Sequence, residues 1–479
     1  MLGAAGAIEA AVCALALRDQ VLPPTVNVDE SKALVHDVVP NKARAHDIET
    51  VLSNSFAFGG NNCSLVIGRR PRPVVARPNR RVVVTGAGVV SPIGVGRGRF
   101  VEALRSGVVG IGTARSLQIS SCRSQLAAEI SDTSYLQSVD PAYVRRLDQL
   151  GVLVLAASRM ALKDAELRVT RANSERVGMV FGTYTGPLET VGALSETIGQ
   201  EGPHRVNPRL FPNSVMNAAA GHACLSLQIR GPLSTLASGC AAGVIGMGYA
   251  ADLVRRGEAD AMLAVAGDEL SPLLHLGYDR LGILTSDAVR PYDRDRDGCA
   301  LGAGSVALVI ESLDQASERG ATILGEIQGH SVTSDAFRVA GNDPSGEAWA
   351  EGLRRALADA QVEVEDVGTY YGDARGTSAI DLAEARAISE VWRAGSVRVA
   401  NLSGQVGHVH STTPLLSMVA ALETMSTGWV PPICGLRNPV PVLEGHVDSE
   451  TEAGGRACVV TAANWGGTYA STVLGPWPN

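Results

Sequence analysis

Residues 231–257 read GPLSTLASGCAAGVIGMGYAADLVRRG. A short apolar run, Leu233–Leu236, passes into the small residues Ala237-Ser238-Gly239. A helical pattern over Ala241–Arg256 then runs up to Gly257. Strand, tight turn and helix in succession are the working unit of a layered α/β fold. The turn presents Cys240. A thiol at a helix N-terminus gains from the dipole and the free N–H groups, which favour the thiolate. The same N–H groups can receive the oxygen of a thioester carbonyl. A lone cysteine is most often a small buried hydrophobe. Here the strand–turn–helix setting and the small neighbours Ala241, Ala242 and Gly243 favour a nucleophile.

The alternation continues on both sides of this stretch. Arg81–Thr85 predicts a strand followed by a Gly-rich turn, and Gly178–Phe181, Ala261–Ala266, Gly304–Ile310 and Ala457–Thr461 predict further buried strands. Helical spacing covers Gly151–Leu167, Ala241–Arg256, Gly346–Ala360 and Ile380–Ala394. Residues 81–479 are therefore an α/β region. His408 lies in NLSGQVGHVHSTTPLLSM just after Gly407, and its neighbour His410 reads as incidental. The run Asp373-Ala374-Arg375-Gly376-Thr377-Ser378, with Asp381 and Glu384 beyond it, follows the apolar Val367–Tyr371. Active sites of α/β folds collect in such strand-end loops. Two tempting motifs fail. Asp293-x-Asp295-x-Asp297-Gly298 opens like a calcium loop but has Gly304 where a bidentate Glu is required. Thr85-Gly86-Ala87-Gly88 has Ser91 in place of a dinucleotide loop's third glycine.

With 479 residues, 45% hydrophobic and 19% charged, the chain has material for a large core and is not a disordered chain. A net charge of −8 argues against nucleic acid as a partner. No apolar run approaches the ~20 residues of a membrane span, and Met1–Ala16 lacks the basic start of a secretory signal. The eight cysteines form no CxxC, so neither a disulfide framework nor a metal site is indicated, and a reducing cytoplasm is the expected setting.

An internal repeat organises the rest. Residues 2–24 match 410–432 without a gap, placing Pro23-Pro24 on Pro431-Pro432, and Asn54–Gly60 (NSFAFGG) matches Thr461–Gly467 (TAANWGG). The first 68 residues thus read as a second copy of the chain's own end. Between the copies, residues 69–80 are rich in arginine and proline, the composition of an extended linker.

These stretches together resemble the elongating β-ketoacyl-[acyl-carrier-protein] synthases. VVVTGAGVVSPIG resembles the family's opening strand and turn, FPNSVMNAAAGHACLSLQIRGPLSTLASGCAAG the approach to its nucleophilic cysteine, and RPYDRDRDGCALGAGSVALVIE its RPFDxxRDGFxxGEGA stretch. ARGTSAIDLAEARAI resembles the HGTxTPxxDxxE loop, and Gly407-His408 the second histidine. The likeness spans 81–479. LGAAGAIEAAVCALALRDQVLPPTVN and NSFAFGGNN resemble the end of a second synthase, which makes residues 1–68 a partial copy. The family implies a thiolase fold, with two related α-β-α-β-α halves (here 81–320 with Cys240, and 321–479 with Arg375 and His408), dimerised through core strands. It also implies a chemistry without cofactor or metal. The cysteine accepts an acyl chain from acyl carrier protein, malonyl on the carrier is decarboxylated, and two histidines stabilise the enolate that attacks the thioester.

The sequence departs from that pattern. Arg375 stands at the first histidine's position and, being permanently protonated, cannot act as a neutral imidazole. Ser403 matches the usual lysine, Trp465 the gate phenylalanine ahead of Gly466 and Gly467, and the loop after Arg375 is two residues short. Such losses resemble the chain-length-factor subunits of type II polyketide synthases, which pair with a true ketosynthase and shape the cavity for the growing chain. Those subunits typically lack the cysteine that remains here. Three readings follow, in order: a chain-length-factor-like subunit with a separate ketosynthase partner, a condensing enzyme that itself forms the acyl-thioester at Cys240 with Arg375 and His408 as enolate stabilisers, and an inactive scaffold for partner and carrier. The assembly implied is a heterodimer with a ketosynthase subunit or a homodimer.

Overall fold

The computed structural model describes residues 3–29, 36–57, 60–71, 78–447 and 452–478. It divides into two compact units, Met1–Arg77 and Pro78–Asn479. Residues 72–77, half of the arginine–proline stretch, and Phe58-Gly59 of the repeat lie outside the described residues.

The first unit is a helix, α1 (Ala5–Asp19), beside an antiparallel pair, β1 (Thr50–Phe56) and β2 (Asn62–Gly68). Its small core is Ala16, Leu17 and Ile48, with Leu22, Val51 and Ile67 packed against it.

The second unit is built on one long sheet. Its main elements in chain order are β3 (Val82–Ser91), α2 (Gln149–Asp164), β4 (Val177–Gly182), β5 (Leu233–Leu236), α3 (Ala242–Arg255), β6 (Ala261–Asp268) and β7 (Gly304–Ser312). They are followed by β8 (Gly325–Ser334), α4 (Glu347–Ala360), β9 (Val367–Tyr371), α5 (Ser378–Val391), β10 (Arg398–Ala400), α6 (Thr413–Thr427), β11 (Ala457–Ala463) and β12 (Thr468–Gly475). The strand order is β5-β4-β6-β7-β3-β8-β12-β11-β9-β10. Read outward from the β3–β8 contact, the two wings are the same: β3-β7-β6-β4-β5 and β8-β12-β11-β9-β10. In each wing the outer three strands are parallel and the inner pairs antiparallel. The α/β expectation holds, and the two halves share one topology.

The Gly-rich segment expected to turn after Thr85 instead continues the strand to Ser91. The reason is packing against α2. A Cβ on Gly86 would meet Ala165 N at 2.4 Å, and one on Gly88 would meet Ala157 O at 2.0 Å. These glycines let helix and strand approach closely.

The main core mixes the two halves. Residues of α3 (Val244, Met247, Ala251) and α6 (Leu415, Leu416, Val419) pack with strand residues Val306, Leu308, Val460 and Ala470. Leu415, Leu416, Val306 and Val460 are fully buried. α3 and α6 carry Cys240 and the His408–His410 loop at their N-terminal ends, so this packing sets the distance between them. Asp293, first residue of the false calcium loop, accepts backbone N–H groups of Asp295, Arg437 and Asn438 and so holds a turn. No helix among the described residues is long and apolar enough to cross a membrane.

Candidate active site

Cys240 sits in the single turn Gly239–Ala241 that leads from β5 into α3. Gly239 has φ +66° and lies against Asn464, whose Oδ1 would be 2.0 Å from a Cβ there. The Cys240 N–H donates to Asn464 Oδ1 at 3.3 Å. That contact ties the cysteine turn to the β11–β12 hairpin turn, which also holds Trp465, Gly466 and Gly467.

Three side chains close on the sulfur. His408 Nε2 is 3.4 Å from Cys240 Sγ, Arg375 Nη1 is 3.6 Å away, and His410 Nδ1 is 3.9 Å away. Cys240 and Arg375 have no solvent exposure, and His408 and His410 are 1% exposed. Of the residues singled out from sequence, Cys240, His408 and Arg375 thus meet at one point. His410, read as incidental, is the fourth member. Two residues apart in a loop rarely share a direction, and no spacing rule marks His410. It faces the sulfur because its own φ is +41°.

Arg375 is anchored. Its Nη2 donates to Asp373 Oδ2 at 2.6 Å and also to the Ala463 carbonyl, while Asp373 Oδ2 accepts the Ala463 N–H at 2.8 Å. The guanidinium also lies 5.6 Å from the centre of the Trp465 ring. Burial works against its charge, but Asp373 and Cys240 outweigh that and hold its pKa above the ordinary value. The shortened loop is closed by Asp381, which accepts the N–H groups of Arg375, Gly376, Thr377 and Tyr292 at 3.0 to 3.2 Å. Glu384 accepts from the Tyr292 and Tyr370 hydroxyls and from Asp373 N, each at 2.8 Å. Burial, aided by the Asp373 charge, pushes Glu384 up to about 8. The two acidic residues after the loop therefore brace Arg375 and do not face the sulfur.

Burial pushes the Cys240 thiol up to about 12, with Arg375 pulling the other way. Burial, then Arg375, drives His408 well below its usual value and His410 down to about 3. Both imidazoles are neutral at neutral pH. His408 is fixed through its backbone, its N–H donating to Ala300 O at 2.7 Å and its carbonyl accepting from Gly302 N at 3.0 Å. Trp465, expected from the sequence at a gate position, donates from Nε1 to Tyr278 OH at 3.1 Å, and Tyr278 lies 3.3 Å from the Tyr184 hydroxyl. Gly467 shapes the turn beside it and accepts the Asp335 N–H at 2.9 Å. Ser403 is fully buried in the short helix Ser403–Val406, and its hydroxyl has no hydrogen-bond partner among the described residues.

Residues 79–316 match the family described as Beta-ketoacyl synthase, N-terminal domain, and residues 324–437 match its C-terminal domain. The 3-oxoacyl-[acyl-carrier-protein] synthase 2 of Synechocystis sp. is 32% identical over 372 residues, covering 76% of this chain and 89% of that protein. The enzyme of the same name from Coxiella burnetii is 31% identical over 370 residues, 75% of this chain and 89% of its own length. The chain belongs to the β-ketoacyl synthase family. Among solved structures, the ishigamide ketosynthase/chain length factor superposes with a TM-score of 0.78 at 28% identity, covering 84% of this chain and all of that one. A type II polyketide synthase acyl-carrier protein in complex with its ketosynthase bound to the hexaketide gives 0.75 at 25% identity, again over 84% of this chain and all of the matched one. The two-winged sheet is thus the thiolase fold of this synthase family.

Cys240, His408 and His410 also offer three buried ligand atoms within 4.8 Å of one another. A permanently charged guanidinium 3.6 Å from the same sulfur opposes a cation there.

Proposed function

We propose that the chain acts in decarboxylative Claisen elongation of acyl chains on acyl carrier protein, in the chain-length-factor place beside a ketosynthase, and that Cys240 still accepts an acyl chain. The observation that carries this is the three-way contact of Cys240 with His408 and Arg375. A subunit emptied of chemistry has no need of a cation anchored by Asp373 and aimed at a thiol. In loading, Sγ attacks the carrier-bound thioester carbonyl, the carbon–sulfur bond to the carrier breaks, and the Sγ proton passes to the departing carrier sulfur. Arg375 stabilises the sulfur anion whenever it forms. Trp465 closes the pocket, and Gly466 and Gly467 provide the turn that carries it.

Within this reading, residues 81–479 are the complete synthase-like domain. Residues 1–68 are a copy of a ketosynthase C-terminal end, and 69–80 are a linker. The partners are acyl carrier protein and a ketosynthase subunit, or a second copy of this chain, in the cytoplasm. The test is Cys240→Ala in the complex assembled with a ketosynthase and malonyl-loaded carrier. We expect elongation to drop by at least tenfold with the complex intact, and unchanged product formation would refute an acyl-accepting Cys240. One observation favours a different version of the chain-length-factor place, in which the Cys240 thiol never turns over. Arg375 fills the first-histidine position and is locked there by Asp373 and Ala463. Unchanged elongation by Cys240→Ala is the outcome that reading requires.

A further inference from the structure

We propose that His410 is a catalytic residue of this site: its Nδ1–H and the Nε2–H of His408 together hold the thioester oxygen of malonyl as the enolate forms. This rests on the reading of Cys240 as acyl acceptor. It answers the question that Arg375 raises, namely what replaces the missing first imidazole.

Three independent observations point to His410. The first is distance. Cys240 Sγ and one ring nitrogen each of His408 and His410 all lie within 4.8 Å of one another, and the nitrogens that approach the sulfur are His408 Nε2 and His410 Nδ1. An oxygen hydrogen-bonded to two N–H groups at about 2.8 Å spans donors up to about 5.6 Å apart. A carbonyl oxygen placed beside the sulfur thus reaches both imidazoles. Arg375 is committed elsewhere, with Nη2 on Asp373 and Ala463 and Nη1 on the sulfur.

The second is backbone strain. His410 is a non-glycine residue at φ +41°, in the left-handed region. The conformation is enforced by its neighbours. Val409 N–H donates to Thr413 Oγ1 at 2.8 Å, and Ser411 donates through N–H at 2.9 Å and through its hydroxyl at 2.5 Å to Asp268 Oδ2. Asp268 also accepts from Tyr184 N at 2.7 Å and Thr183 Oγ1 at 3.1 Å. Strain held by a surrounding network is the usual mark of a side chain being aimed.

The third is the ring itself. It stacks on Tyr184 with centroids 4.4 Å apart and planes 5° from parallel, and it meets His408 edge-on at 4.6 Å. It cannot swing away. His410 Nε2 and His408 Nδ1 have no hydrogen-bond partner among the described residues, so no protein acceptor dictates against placing the protons on the nitrogens that face the sulfur. Both rings remain neutral, because burial and the Arg375 charge oppose protonation.

In the step itself, the bond between the malonyl carboxylate carbon and the α-carbon breaks. Carbon dioxide leaves, and the electron pair passes to the thioester oxygen held by the two N–H groups. The α-carbon then attacks the acyl carbonyl on Cys240, the carbon–sulfur bond breaks, and the pair returns to Sγ beside Arg375.

The test separates the two half-reactions in the full chain with its ketosynthase partner, that partner carrying an alanine in place of its own nucleophile. Loading of Cys240 from acyl carrier is followed by mass, and decarboxylation by carbon dioxide released from malonyl carrier. His410→Phe keeps the stacking on Tyr184 and removes the N–H. His410→Asn restores an N–H near the Nδ1 position. We expect His410→Phe to slow decarboxylation about 100-fold, the scale of one oxyanion donor, with loading changed no more than threefold, and His410→Asn to recover at least tenfold. Decarboxylation by His410→Phe at the wild-type rate overturns the proposal. So does an equal fall in both half-reactions with no recovery in His410→Asn, which marks a structural role. A wild-type chain that decarboxylates but never carries an acyl group on Cys240 refutes the acyl-acceptor reading instead and leaves the His410 comparison readable.

Discussion

The chain contains the same helix–strand–strand unit twice, and the two copies differ in what surrounds them. Ala5–Asp19 corresponds to Thr413–Thr427 and Thr50–Phe56 to Ala457–Ala463, and the strand pairing keeps its register, Val51 with Ile67 and Cys458 with Leu474. In the C-terminal copy Leu416, Val459 and Val473 are fully buried. Their counterparts Ile8, Leu52 and Val66 are 41%, 58% and 65% exposed. Local pattern therefore specifies the element and its pairing, whereas burial comes from what packs on the second copy: α4 (Trp349, Leu353) clusters with Val459 and Val473, and α3 (Val244, Met247) with Leu416. Chemistry follows burial. Only beside β9 is there an Asp373 to fix an arginine against a cysteine.

The sharpest way to break this comparison is to remove that fixture. Asp373→Ala leaves the Arg375 charge buried and unpaired, which should lower the unfolding free energy of the 78–479 unit by about 3–5 kcal/mol in urea titration. A loss below about 1 kcal/mol would mean that the pin between β11 and the end of β9 contributes little. Next, the same truncation in each copy should give unequal results. Leu416→Ala should cost about 2–5 kcal/mol, and Ile8→Ala no more than about 0.5 kcal/mol. Equal costs would show that α1 is as enclosed as α6.

A smaller effect is tied to pH and belongs to the second copy alone. His410 stays neutral in the folded chain down to about 3. An unfolded imidazole takes up its proton near 6.5, so between these values the unfolded state binds more protons and stability falls as the pH falls. Subtracting the profile of His410→Phe from that of the wild type should leave a slope of about 1 kcal/mol per pH unit below 6.5, rising with pH. A flat difference would place a protonated imidazole beside Arg375. The mildest probe is thiol labelling without denaturant, in which exposed Cys63 of the first copy should react well before the fully buried Cys240.

Much of this was readable in the sequence because it depends on local pattern. Ala261–Ala266 and Gly304–Ile310 are β-branched and alanine-rich runs, and they form strands β6 and β7. Ala241–Arg256 forms α3 to within a residue at each end. Cys240, His408 and Arg375 could be named from motif position. What could not be read depends on tertiary contact. Gly86 and Gly88 look like a turn until α2 is seen packed on them. Arg375 looks like the loss of a histidine until Asp373 and Ala463 are seen aiming it. His410 lacks any motif, because a left-handed φ held by Asp268 from another strand directs it.

The central claim, that Cys240 is an acyl acceptor held by His408 and Arg375, is tested most directly by mass spectrometry of the chain after incubation with acyl carrier protein bearing a labelled acyl chain, in the presence of its ketosynthase partner. The account predicts the label on the peptide containing Cys240 and its loss in Cys240→Ala. A free Cys240 thiol while the partner's own cysteine is fully loaded would contradict it.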